Sequence, residues 1–200
     1  MRVPTLIGVI LLACLGSLPG QAADLIKLTA ENYDDLVPKG KEVDAIYGDW
    51  LLRNDEVLVV LAQPVAGRKA NMTTRGVAGM IIDYTRRNRQ SDQLSCFYPA
   101  SGRYLFEDPT GYRCTIYADG DGDGEVQDLT TGKQFSGKTI TLEINGTPVA
   151  NDGTVATLRY TFTDGEPSIA YSIQIKNEGE EPRELLIEDS FRCDGNLFTS

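Results

Sequence analysis

Asp119, Asp121 and Asp123 stand at every second position of the run Tyr-Ala-Asp-Gly-Asp-Gly-Asp-Gly-Glu-Val-Gln-Asp-Leu, residues 117–129. Carboxylates at that spacing, with Gly124 at the sixth place, are how a loop that wraps calcium begins. Counted from Asp119, Gln127 takes the ninth place. The twelfth, where a bidentate acid closes such a loop, is Thr130, and Asp128 falls two places early. The flanks read as a strand and a polar turn, not as the two helices of such a motif. Gly120, Gly122 and Gly124 accept positive φ and Asp tolerates turns. The run therefore reads first as a flexible acidic turn. Its second reading is a weak calcium site built from Asp119, Asp121, Asp123 and Gln127, filled only where calcium is abundant; no other cofactor is expected.

Other chemistry is sparse. The chain has no histidine, which excludes Ser-His-Asp and Cys-His triads, histidine-held zinc and any imidazole proton transfer within it. Carboxylate pairs survive that filter, but sequence sets no two acids at a glycosidase separation. Glu188 and Asp189 point to opposite faces if they continue a strand. Trp50, Tyr98, Tyr104 and Tyr112 could offer aromatic faces to a sugar, although large aromatics are mostly core. The Arg86-Arg87-Asn88-Arg89 spot reads as a solvated turn. No enzyme activity is expected.

The 200 residues carry 19 basic and 29 acidic side chains, a formal charge of −10. Without a Lys/Arg cluster, such a chain is a poor partner for phosphate backbones. Met1-Arg2, an apolar run over residues 3–18 and small residues at 19–23 have the layout of a secretory signal peptide cut after Ala22 or Ala23. The protein is thus expected to be exported to the periplasm, envelope or outside. Lipidation at Cys14 is the lesser alternative, because the apolar run continues past it. Cys96, Cys114 and Cys193 remain after cleavage, so at most one internal disulfide forms. Cys96 and Cys114, on neighbouring strand-like runs, are the expected pair.

The elements that must position these groups are strands. Residues 24–39 read as a lead-in with one short helix, Thr29 as its N-cap and Pro38 as its stop. From residue 40 the pattern alternates. Residues 49–53 and 56–62 predict a hairpin about Asn54-Asp55, and further strands are expected at 76–84, 93–98, 111–118 and 138–144. In 155–162, Leu158, Tyr160 and Phe162 share a face; Ile169, Tyr171, Ile173 and Ile175 share one in the next run. The turn Asp164–Pro167 makes these a hairpin, with a third strand expected at 184–191. The fold class is all-β: an antiparallel β-sandwich of one domain over residues 40–200. Its last residues, 192–200, read as though another element should follow, as in the N-terminal part or a truncated copy of something longer.

Three stretches carry a resemblance: residues 40–55 (GKEVDAIYGDWLLRND), 71–94 (from NMTTRGVAG through Ile82-Asp83 to Asp92-Gln93-Leu94), and Asp164-Gly165-Glu166-Pro167 through Ile187-Glu188-Asp189. Together they resemble the N-terminal β-sandwich region of exported bacterial proteins whose later part is a CehA/McbA-type metallohydrolase of the PHP superfamily. The last hairpin is also similar to the long strands of the galactose-mutarotase supersandwich. The resemblance implies a non-catalytic accessory or binding module. Its partner would be a C-terminal hydrolase domain outside this chain. The mutarotase likeness implies the alternative, a carbohydrate-binding or carbohydrate-processing module with polysaccharide as partner. No functional residue carries over, since the histidines both chemistries use are absent here.

Overall fold

The computed structural model describes residues 22–39, 43–72, 74–88, 94–102, 105–106, 112–119, 134–149 and 153–193. Within them, eleven strands form two antiparallel sheets packed on one core. The larger sheet runs in the order β11 (Ser190–Cys193), β5 (Leu94–Tyr98), β4 (Ile81–Arg86), β3 (Val57–Leu61), β2 (Trp50–Arg53), β1 (Ala23–Lys27), β7 (Gln134–Gly137). The smaller runs β10 (Ile169–Asn177), β9 (Thr154–Thr163), β8 (Thr139–Gly146), β6 (Tyr112–Ala118). This is the all-β sandwich that the alternation implies.

Period-2 patterning decides the smaller sheet. Ile140, Leu142 and Ile144 of β8 and Leu158, Tyr160 and Phe162 of β9 are all fully buried. Leu142 lies opposite Tyr160 and Ile144 opposite Leu158, so one face of the ladder is continuous apolar surface. In the larger sheet, β3 is buried at all five positions, as expected of an unbroken apolar run rich in valine in a central strand. Two side chains fix the sheets to each other. The Tyr160 hydroxyl donates to the Gly79 carbonyl at 3.0 Å. Gly79 adopts φ +79°, and a Cβ there would sit 3.3 Å from Ile144 and 3.4 Å from Phe106, so glycine suits both the backbone and the packing. Asn54, 1% exposed, accepts from the amides of Glu56 and Val57 and donates to the carbonyls of Thr163 and Glu166. It ties the β2–β3 turn to the β9–β10 turn.

Several expectations need correction. The helix, α1, is a single turn over Tyr33–Leu36, and Thr29 is not its N-cap. Asn32 holds that place, and its side chain accepts from the Thr29 amide while donating to the Lys27 carbonyl. The Thr29 side chain instead hydrogen-bonds the Glu31 carboxylate and holds its pKa below the ordinary value. The stop at Pro38 stands, since Val37 is already extended with ψ 139°. The lead-in contributes β1, whose Ala23 and Leu25 are fully buried. Residues 134–137, read as part of a polar turn, form the edge strand β7 on β1. The third strand expected at 184–191 forms only from Ser190, and it pairs with β5 in the opposite sheet rather than with β10. Residues 182–189 cross from one sheet edge to the other, so they hold no ladder register with either.

A candidate ligand cleft at the open side of the sandwich

The open side lies between β10 and the β4–β5–β11 end of the larger sheet. As an edge strand, β10 covers its apolar stripe only partly: Ile169, Ile173 and Ile175 are half-buried and Tyr171 is 38% exposed. Facing it are Ile81 and Tyr84 of β4, Leu94 and Phe97 of β5, and Phe191 of β11, which is 70% exposed. With Ser168, Ile169 and Tyr171 these facing groups line a cleft of about 420 Å³, in the range of small-molecule sites, roughly 300–1,000 Å³.

Three rings organise it. Phe97 meets Tyr171 edge-on, with centroids 5.0 Å apart at 70°, and stacks on Phe191 at 4.7 Å and 28°. Both are favourable ring geometries, and they hold β10 and β11 against β5. The polar ends of the tyrosines are spent on the rim. The Tyr84 hydroxyl donates to the Pro167 carbonyl, and that of Tyr171 donates to Asp189, whose other oxygen accepts from the Ala100 amide at 3.1 Å. The bond to Asp189, with some desolvation, pushes the Tyr171 phenol up to about 12. Burial raises that of Tyr84. What remains facing the cleft is mostly ring and alkyl surface, with Ser168 as the one further polar residue of the lining, which suits an apolar group and offers no acid–base pair.

The sequence-derived candidates lie elsewhere. Trp50 and Tyr98 are each 3% exposed, so neither presents an aromatic face to a sugar. Tyr98 carries the Arg75 guanidinium over its ring at 4.6 Å. Tyr104 lies outside the described residues, and of Tyr112 only the backbone, in β6, is described. Asp119 follows β6 at φ 55°, and its carboxylate accepts from the Thr139 amide at 2.9 Å, closing the turn onto β8. Asp121, Asp123 and Gln127 lie outside the described residues. Among those described, no group of three or more His, Cys, Asp or Glu is placed to hold a metal.

Cys96 and Cys114 are unpaired thiols, each buried, one on β5 of the larger sheet and the other on β6 of the smaller. The expected disulfide is absent because the two runs, neighbours in sequence, go to opposite ends of the sandwich: β5 packs by the β10 edge of the smaller sheet, and β6 is that sheet's other edge. Burial pushes both thiols up to about 12. Cys193 is exposed. Glu188 and Asp189 precede β11, and the hydrogen bonds to Asp189 give it a structural task.

Sequence reasoning missed Phe97, Tyr171 and Phe191 as a group, since they come from strands far apart in the chain. A signal existed in Phe191, a large apolar side chain directly after Glu188-Asp189-Ser190. No family model, curated protein or solved structure matches the chain.

Proposed function

We infer that the chain is a non-catalytic accessory module of an exported protein, and that its work is to hold an apolar ligand of small-molecule size in the β10–β11 cleft. The observation that carries this is the ring triad Phe97–Tyr171–Phe191, lining a cleft whose tyrosine hydroxyls are turned onto the rim. The proposed setting is the N-terminal part of a larger CehA/McbA-type metallohydrolase, or a remnant of one, in which the module would present substrate or partner rather than transform it. A carbohydrate module, the other reading of the sequence, requires polar donors around open aromatic faces. The lining of this cleft is poor in them, and Trp50 and Tyr98 are buried.

The test is a fluorescence titration with N-phenyl-1-naphthylamine, a neutral apolar probe. One saturable site is expected, weakened by Phe191→Ala and Tyr171→Ala, both exposed enough to be replaced without emptying the core. Absence of saturable binding, or binding indifferent to both variants, would overturn the reading. Retention on an oligosaccharide panel without probe binding would favour the carbohydrate module.

A further inference from the structure

Phe191 has a second neighbourhood. Beyond the apolar cleft it also borders a smaller pocket of about 160 Å³, lined by Arg75, Tyr98, Ser190 and Arg192. This pocket is the product of one strand pairing. In the β5–β11 register Ser190 lies opposite Tyr98 and Arg192 opposite Cys96. That pairing brings Ser190 and Arg192 into one lining with Tyr98, over whose ring Arg75 already lies. Two guanidiniums and a hydroxyl thus meet in one depression of a chain whose formal charge is −10. The carboxylate nearest in sequence, Asp189, is held away by Ala100 and Tyr171 and takes no part in the lining.

Tyr98 is the floor of this pocket. It is 97% buried, and its hydroxyl makes no hydrogen bond of good geometry, only looser contacts with the Cys96 thiol and the Arg75 guanidinium. Arginine forks favour oxyanions that accept two parallel hydrogen bonds, such as carboxylate, sulfonate or phosphate.

We propose that this pocket is an anion subsite, and that the ligand of the module is an amphipathic anion. Its apolar body lies in the β10–β11 cleft, its chain passes Phe191, and its oxyanion head sits between Arg75 and Arg192 with Ser190 as a further donor. This rests on the cleft reading for the apolar half and adds the charged half, which fixes the chemical class. No bond is made or broken; the site binds.

The probes are decanoate, 1-decanol and decylamine, each used to displace N-phenyl-1-naphthylamine from the full chain. Decanoate is expected to bind at least about tenfold tighter than decanol, the size of a charge-assisted hydrogen bond, with decylamine weaker than both. Arg192→Ala, an exposed replacement, should erase the decanoate advantage and leave decanol unchanged, and Arg192→Lys should restore part of it. Raising salt should narrow the difference. If decanol and decanoate compete equally, or if Arg192→Ala weakens both alike, the anion subsite is wrong while the cleft reading stands. If the neutral probe itself finds no site, the cleft reading has failed first.

Discussion

Replacing Tyr98 by Phe should make the protein more stable, the reverse of what removing a buried hydroxyl usually does. The Tyr98 side chain is 3% exposed, and its oxygen is buried without a hydrogen-bond partner. Taking a hydroxyl out of water without compensation costs about 1–3 kcal/mol on the scale of protein mutations. Phe keeps the ring, its packing and the face presented to Arg75. The contacts of the hydroxyl with the Cys96 thiol and the Arg75 guanidinium trim the gain, leaving about 1–2 kcal/mol. For a chain of this size that is a rise of about 2–8 °C in Tm, or about 0.5–1 M in urea midpoint if m is near 2 kcal/mol/M. The assay is paired urea unfolding of wild type, Tyr98→Phe and Tyr160→Phe, followed by circular dichroism. Tyr160→Phe is the internal contrast. Its hydroxyl donates to Gly79 across the sheets at 3.0 Å in a fully buried position, so its loss orphans a carbonyl and costs about 1–3 kcal/mol. A lowered midpoint for Tyr98→Phe would refute the orphan-hydroxyl argument.

Further outcomes are expected. Arg68→Ala should cost about 3–5 kcal/mol in the same assay, since it strands the fully buried Asp49 carboxylate that Arg68 now contacts at 2.6 Å, and an Asp49→Asn/Arg68→Met double variant should cost less than Arg68→Ala alone. Asn54→Ala should destabilise by about 2–4 kcal/mol and loosen the turn behind Pro167, read as faster amide exchange there, because four hydrogen bonds converge on that buried side chain. Stability should be flat through neutral pH and fall from about pH 9 towards 12. Cys96, Cys114, Tyr98 and Tyr171 all have folded pKa values raised to about 12 from 9.0 or 10.0, so the unfolded chain loses protons first and is favoured as pH rises, which pH-dependent melting will read. At pH 8 a thiol reagent should modify Cys193 in the native protein, and Cys96 and Cys114 only after denaturation. Calcium at several millimolar should leave Tm unchanged, since the described member of the acidic run, Asp119, already spends its carboxylate on Thr139.

Strands β8 and β9 were legible because alternation there coincides with burial on one face, residue by residue, and the turn at Asp164–Pro167 marked the β9–β10 hairpin. The β2–β3 hairpin was legible from its β-branched run and the Asn54-Asp55 turn. Two strands escaped for local reasons: β7 is four mostly polar residues at an edge, and β1 follows an apolar leader-like run that masks it. The error at 184–191 was of another kind. Leu185, Leu186 and Ile187 have strand propensity, but propensity does not say which sheet a segment must reach, and residues 182–189 are spent on the crossing. The same ignorance of sheet membership produced the expected Cys96–Cys114 bridge and hid the cleft. Alternation shows that Phe97, Tyr171 and Phe191 can each face inward; it does not show that β10 and β11 become edges on the same side. Tyr98 was picked for its exposed face and matters instead for its buried oxygen.

The pairing of β11 with β5 also sets an order of events. Strands joined by tight turns, such as β2–β3 and β8–β9–β10, close loops of a few residues and need no distant partner. The β5–β11 and β1–β7 contacts bring together residues roughly a hundred positions apart, and such closures come late. A chain crossing a membrane from its N-terminus would therefore carry β5 with a bare edge until residues 190–193 emerged. Both halves of the proposed site wait on the same four residues, since Phe191 walls the cleft while Ser190 and Arg192 furnish the anion pocket. Ligand capture at the proposed site would thus be timed to the completion of the sandwich, and a chain stopped before Ser190 would be expected to keep most of its core yet hold nothing.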